Sequence, residues 1–244
     1  MKAVEALKLT KYYGALPALK DVSFTVGIED IYGLIGPNGA GKTTTFRIVA
    51  GLIPATSGTV KVFGLDPISD QDRLKRMVSY LPEDAGTYRN ITGYEFLRMI
   101  AEIYFENRSD AEEALELGIK ISGLGDRIHD KMKTYSKGMK RRVQVARALM
   151  VKPRLTILDE PTAGLDVIYS REVRSIITEF SKEFGTTVLM SSHNLVEVED
   201  ICQKVALINR GRILAEGYVD ELLDKYSVKN LEELFISLVR GVAE

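Results

Sequence analysis

Ile31-Tyr32-Gly33-Leu34-Ile35-Gly36-Pro37-Asn38-Gly39-Ala40-Gly41-Lys42-Thr43-Thr44 is an apolar run that breaks into a glycine-rich loop and then into a helical pattern. Ile31 to Ile35 reads as a short buried strand that stops at glycine. A helix is expected from Gly41 to about Gly51. Between them, Gly36 to Thr43 fits G-x-x-x-x-G-K-[ST]. The glycines let the backbone curl so that successive N–H groups point inward at phosphate oxygens. The helix N-terminus adds partial positive charge. Lys42 can reach β- and γ-phosphates, the Thr43 hydroxyl can bind Mg²⁺, and the Thr44 hydroxyl can donate to a phosphate. The plainer alternative is a flexible glycine turn with a solvated lysine; the strand before and the helix after it weigh against that. On its own the motif indicates nucleoside triphosphate binding and not which class of protein.

A second chemical element lies far along the chain. Leu155-Thr156-Ile157-Leu158-Asp159-Glu160 is an apolar strand that ends in two carboxylates. Asp159 at the strand end would face the phosphate loop and hold a Mg²⁺ shell. Glu160 could orient the attacking water or accept its proton. An acidic pair that is merely solvated at a loop start is the alternative; the phosphate loop elsewhere in the chain favours the chemical reading.

Around these two elements the pattern alternates. Val4 to Leu9, Val22 to Val26, Thr59 to Phe63 and Val78 to Leu81 read as strands. From about Thr92 to Val151 the character turns helical, with helical spacing over Tyr94 to Phe105 and Ser109 to Leu117. Met139, Val143, Ala146 and Met150 form one stripe of a further helix. Strands return at Thr186 to Met190 and Val205 to Ile208, with helices expected at Val167 to Phe184 and Leu195 to Ile201. A largely parallel sheet covered by helices follows, with a helical subdomain inserted into the α/β core. The tail from Asn230 to Arg240 reads as a short amphipathic helix.

The chain has 244 residues, enough for one large α/β domain or a core domain with an insertion. Its 33 Lys and Arg nearly cancel 34 Asp and Glu, for a net charge of -1. That balance gives no general pull toward nucleic acid or anionic lipid. The single cysteine, Cys202, excludes an intrachain disulfide and reads as a buried small hydrophobe, which suits a reducing cytoplasm. The start lacks the apolar core of a signal peptide. No stretch approaches the roughly 20 apolar residues that span a bilayer, so membrane association is expected to go through a partner.

One stretch makes a resemblance specific. Tyr135-Ser136-Lys137-Gly138-Met139-Lys140-Arg141-Arg142 resembles the ABC ATPase signature, usually Leu-Ser-Gly-Gly-Gln before a basic helix. Ser136 and Gly138 match; Tyr135, Lys137 and Met139 depart, in the manner of the branch serving drug, lipid and ion exporters. Locally the same residues also suit an ordinary serine N-cap, with free N–H groups for an anion. The order of further motifs favours the resemblance. Pro161-Thr162-Ala163-Gly164-Leu165-Asp166 is similar to the family's D-loop, His193 to its switch histidine, and Tyr13 (with Tyr12 the near alternative) to the aromatic that stacks on adenine. Val78-Ser79-Tyr80-Leu81-Pro82-Glu83 aligns with the Q-loop, but Glu83 stands where the family usually has glutamine. Glutamate can accept from water or join a Mg²⁺ shell, yet cannot donate while ionised.

The resemblance covers about Val4 to Gly217 and implies an α/β P-loop NTPase with a RecA-like core, an N-terminal antiparallel β subdomain and an inserted α-helical subdomain. The implied division is 1–84 and 152–228 as the core, 85–151 as the helical insertion and 229–244 as a C-terminal helix. It implies ATP and Mg²⁺, with Thr43, Asp159 and Glu83 near the metal and Glu160 and His193 in catalysis. Two such domains would pair head to tail, as homodimer or heterodimer, each ATP lying between one chain's phosphate loop and its partner's Ser136 and Gly138, with Asp166 nearby. The expected role is the cytoplasmic, membrane-peripheral motor of a transporter, leaning to export, docked on integral-membrane permease subunits through Asp84 to Phe96. An ABC ATPase outside transport, for instance in iron–sulfur assembly, is the alternative. A GTPase needs an Asn-Lys-x-Asp motif, which the chain lacks.

Overall fold

The computed structural model describes residues 1–86 and 88–241; Thr87, inside the expected docking stretch, and 242–244, at the end of the expected C-terminal helix, lie outside the described residues. The chain opens with a hairpin, β1 (Lys2–Tyr13) and β2 (Leu16–Gly27), then β3 (Ile31–Ile35) and α1 (Lys42–Val49). Next come β4 (Ser57–Val62), α2 (Gln71–Leu74) and β5 (Val78–Leu81). Three helices follow: α3 (Gly93–Tyr104), α4 (Arg108–Ser122) and α5 (Lys137–Leu149). The remainder is β6 (Leu155–Leu158), α6 (Val167–Phe184), β7 (Thr187–Ser192), α7 (Leu195–Ile201), β8 (Lys204–Asn209), β9 (Arg212–Tyr218), α8 (Val219–Tyr226) and α9 (Leu231–Gly241).

Two sheets result. β2, β1 and β4 form an antiparallel three-stranded sheet. The larger sheet runs β5-β6-β7-β3-β8-β9, parallel throughout except for the antiparallel edge strand β9. Every residue of β3 is buried, as a central strand covered on both faces requires. Alternation then divides the side chains. Tyr32 and Leu34 face a core shared with Phe24, Phe46 and the three-stranded sheet. Ile31 and Ile35 face the opposite core, with Val173, Ile177 and Leu207. A third core, built on Phe96, Leu97, Leu115, Met132 and Val143, joins α3, α4 and α5. α3 starts on a reciprocal capping box, Thr92 with Glu95, which satisfies two otherwise free donors.

This topology positions the chemistry. In the parallel strands Ile35 lies opposite Ser192, Leu158 opposite Met190 and Leu81 opposite Leu158. The segments after β3, β5, β6 and β7 therefore leave the sheet along one edge. Open α/β sheets bind ligands at that carboxyl edge, where strand order switches. Gly36-to-Lys42, Glu83, Asp159-Glu160 and His193 all start there. Cys202 is buried under β3 as expected, and burial raises its thiol pKa.

Candidate functional site

The loop between β3 and α1 is held by main-chain hydrogen bonds, one within the loop and one from the turn between β8 and β9. Ala40 N–H donates to Pro37 O at 3.1 Å, and Gly211 N–H donates to Ala40 O at 2.9 Å. Gly41, the residue before α1, has φ 114°, outside the range of ordinary side chains, and no side chain caps the helix. The first N–H groups of α1 are thus left for a ligand. A Cβ on Gly36 would lie 2.1 Å from the Ile208 carbonyl oxygen, which belongs to the sheet and cannot step aside. Gly36→Ala is therefore expected to cost about 1–3 kcal/mol. Urea unfolding curves check this; a change under about 0.5 kcal/mol, the usual surface range, would show that the loop accommodates the methyl group.

Lys42 is buried and donates to Gly36 O at 2.7 Å and Pro37 O at 3.3 Å. Its Nζ also lies 3.1 Å from Glu160 Oε1. The cleft formed here is lined by Ala18, Pro37 through Thr44, Glu83 and Glu160. Thr43 and Thr44 are half-buried on its floor, while Pro37, Asn38 and Gly39 are exposed at its mouth.

Glu160 carries an unusual backbone, φ 48°, a conformation that non-glycine residues adopt at a cost. Its N–H donates to Ser191 Oγ at 2.9 Å, and that hydroxyl donates to Asp159 Oδ1 at 2.6 Å. Its second carboxylate oxygen lies 2.7 Å from His193 Nδ1. An ionised carboxylate only accepts, so Nδ1 carries the proton of this bond. Lys42, Glu160 and His193, read separately from the sequence, thus form one continuous chain of contacts.

The other expected residues fall into two groups. Glu83 reaches the cleft rim with an exposed side chain. Tyr13, about half exposed at the end of β1, lies outside the cleft lining, with Lys11 Nζ 5.5 Å from its ring centre. Ser136, Gly138 and Asp166 are not brought to this chain's own cleft. Ser136 is exposed and caps α5, its side chain accepting from Met139 N–H at 3.1 Å. Asp166 caps α6 in the same way. Gly138 is covered by the Tyr169 ring, 2.6 Å from where a Cβ would stand.

Two residues escaped the sequence reading. Arg141 is buried and donates to five main-chain carbonyls around the site: Pro82, Glu83, Asp159, Glu160 and Pro161. Glu197 on α7 accepts from Thr162 Oγ1 and Ser170 Oγ, each at 2.5 Å, and pairs with Arg174 at 3.2 Å. It ties the segment after His193 to the loop after Glu160. Arg141's only signal was its place in a basic run, and Glu197's was nil.

The donor set suits Mg²⁺. Asp159 is fully buried, and its Oδ2 has no hydrogen-bond partner. Among the described residues no three His, Cys, Asp or Glu side chains form a ready metal cage. One buried carboxylate and a threonine hydroxyl, completed by substrate phosphates and water, is how Mg²⁺ is commonly held, since it keeps several waters.

A glycine loop at a helix start, a buried lysine and two acidic residues at the end of a parallel strand two places away define a P-loop nucleoside triphosphatase. Residues 19–163 match the family model described as ABC transporter, and the chain belongs to that family. It is an ATP-binding and ATP-hydrolysing transporter subunit that uses ATP and Mg²⁺. It is 40% identical to the uncharacterized ABC transporter ATP-binding protein YdbJ of Bacillus subtilis, over 85% of this chain and 67% of that one. It is 36% identical to the lipopolysaccharide export system ATP-binding protein LptB of Haemophilus influenzae, over 95% and 97% of the two chains. A solved structure of the ATP-binding subunit of an ABC transporter superposes with a TM-score of 0.86 at 30% identity, over 97% of this chain and 99% of that one. Among the described residues no helix is long and apolar enough to cross a membrane.

Proposed function

We propose that the chain works as one half of a head-to-tail ATPase pair that drives export through integral-membrane permease subunits, on the cytoplasmic face of the membrane. The loop N–H groups and Lys42 hold the β- and γ-phosphates, and Tyr13 stacks on adenine. Thr43 and Asp159, with Glu83, would hold Mg²⁺, which when bound would supply neutralisation of charge on the transferred phosphoryl group. Glu160 orients the attacking water and takes its proton. His193 holds the Glu160 carboxylate through Nδ1 and turns its other edge to the γ-phosphate. Ser136, Gly138 and Asp166 of one chain complete the site of the other. Residues 1–84 and 152–228 act as the core, 85–151 as a helical subdomain and 229–244 as a terminal helix. Asp84 to Phe96 receives the permease. No nucleic acid takes part.

The observation that carries the pairing is Ser136. It sits exposed at the start of α5, with its side chain capping the Met139 N–H, yet no residue of α5 lines its own chain's phosphate cleft. A helix start of this kind suits an anion, and a second chain can supply the phosphate. Export is supported by the form of the stretch Tyr135 to Met139 and by the likeness to an export-system subunit. Light scattering tests the pairing. With Mg-ATP, the Glu160→Gln chain is expected at twice its 27.2 kDa mass, and Ser136→Arg added to it should return the monomer. A monomer under both conditions, or a dimer indifferent to Ser136→Arg, contradicts the arrangement.

A further inference from the structure

α5 has two working faces. Met139, Val143, Ala146 and Met150 belong to the helical core. Arg141, Gln144 and Arg147 are spaced three apart and share another face. All three donate to main-chain carbonyls of β5 and the loop after it. Arg147 reaches Tyr80 O at 3.1 Å, Arg141 reaches Pro82 O at 3.3 Å and Glu83 O at 3.1 Å, and Gln144 reaches Ala85 O. Within this trio, Arg141 alone also crosses to the end of β6. Its Nη2 donates to Asp159 O at 2.9 Å and Glu160 O at 2.7 Å, and its Nε to Pro161 O at 2.7 Å.

Burial lowers the Arg141 pKa to about 10, and the carboxylates of Asp159, Glu83 and Glu160 oppose that shift. Water has little access here, so a carbonyl that loses the guanidinium is left unpaired at a cost. Of the residues whose carbonyls Arg141 holds, Glu160 is at positive φ. Its N–H is held by Ser191 and its carbonyl by Arg141, so the strained peptide is gripped from both sides. A rigid planar fork can serve both loops together, which a lysine ammonium cannot. Arg141 lies about one and a half helical turns from Ser136.

We infer that Arg141 is a positioning residue for ATP hydrolysis: it ties α5 to the main chain of Glu160, so that placement of that carboxylate follows placement of α5. The inference rests on the reading of Glu160 as the group that acts on the attacking water. An event at the exposed start of α5 then reaches Glu160 through one side chain.

A double-mutant cycle on the full chain tests it. Arg141→Met is expected to lower ATP turnover on the order of 10- to 100-fold, since misplacement of a reacting group by about 1 Å has that effect. Mg-ADP affinity should stay within about threefold, because loss of an interaction specific to the transition state spares ground-state binding. In a Glu160→Gln background, Arg141→Met should change the residual phosphate release by less than about twofold, the non-additivity expected of residues acting through one another. Losses that multiply, an Mg-ADP affinity that falls in step with turnover, or unchanged turnover would overturn the inference. If circular dichroism shows Arg141→Met unfolded, Arg141→Lys goes through the same cycle under the same criteria, with an expected loss of at least about threefold. Wild-type turnover in Glu160→Gln alone would instead sink the reading of Glu160, whatever Arg141 does.

Discussion

Replacing Glu160 by glutamine is expected to lower ATP turnover by about 10²–10⁴-fold, the span that a positioned acid–base group supplies. The shape of the side chain is kept and one carboxylate oxygen becomes an amide. Glutamine can still accept from Lys42 through its one carbonyl oxygen, at the place of the 3.1 Å contact, and its NH2 group can donate to His193 Nδ1 when the imidazole takes its other tautomer. What is lost is the capacity to take a proton from water. Removing a negative charge beside the phosphates also favours the bound nucleotide. Turnover and affinity should therefore part company, with phosphate release nearly abolished and Mg-ATP binding equal to or tighter than wild type. Steady-state phosphate release together with equilibrium binding of a fluorescent ATP analogue measures both. Affinity that collapses alongside turnover would mean that Glu160 holds the site together rather than acting on water.

Lys42→Met should damage both the empty protein and its substrate binding. The Lys42 and Glu160 side chains are only 6% and 4% exposed, so neither charge is supported by solvent. Removing one member of a buried pair costs about 3–5 kcal/mol, because the other charge stays in a poorly solvated place. Gly36 O and Pro37 O lose their donor as well. The stability lost should largely return in the double variant Lys42→Met, Glu160→Gln, where no lone charge remains. ATP affinity should not return, since the phosphates have lost a charged donor worth on the order of 10- to 100-fold in binding. Four urea unfolding curves and four binding isotherms complete the comparison. A stable Lys42→Met, or no recovery on adding Glu160→Gln, would show that the pair contributes little to folding.

The parts of the fold that the sequence revealed are those where local pattern and burial coincide. β3, β5 and β6 are short, mostly apolar strands, and they and the helices α6 and α7 have the expected bounds. β9, α2 and α8 were not anticipated. β9 is mostly half-buried and held by pairing to β8 through the Arg210-Gly211 turn, both residues at positive φ. α2 has four residues, and α8 buries only Val219 and Leu222, too little for a clear stripe. The hairpin strands run to Tyr13 and from Leu16, beyond the alternating segment, because pairing extends where side chains are exposed.

Within the site, the residues were legible and their connections were not. The run Lys140-Arg141-Arg142 shows why. Lys140 is half-buried, Arg141 is spent on five carbonyls, and Arg142 donates to Ser122 O at 2.7 Å and pairs with Glu172 at 2.9 Å. Three adjacent basic residues have three fates, set by what the fold brings opposite each. The joining of Lys42 to Glu160 likewise depends on β7 lying between β3 and β6, which no local pattern states. Glu83 shows the reverse: its side chain drew attention as a departure, while its carbonyl is the group held by Arg141.

The claim that the ATPase pair acts on a membrane-embedded partner is tested most directly by capture. The tagged full chain is taken from detergent-solubilised membranes of its own cells, and what accompanies it is identified by mass spectrometry. A multi-span membrane protein in near-stoichiometric amount is the predicted result, and its identity then directs the search for the transported substrate. Soluble proteins alone, with the chain fractionating in the cytosol, would contradict the account while leaving its ATPase chemistry intact.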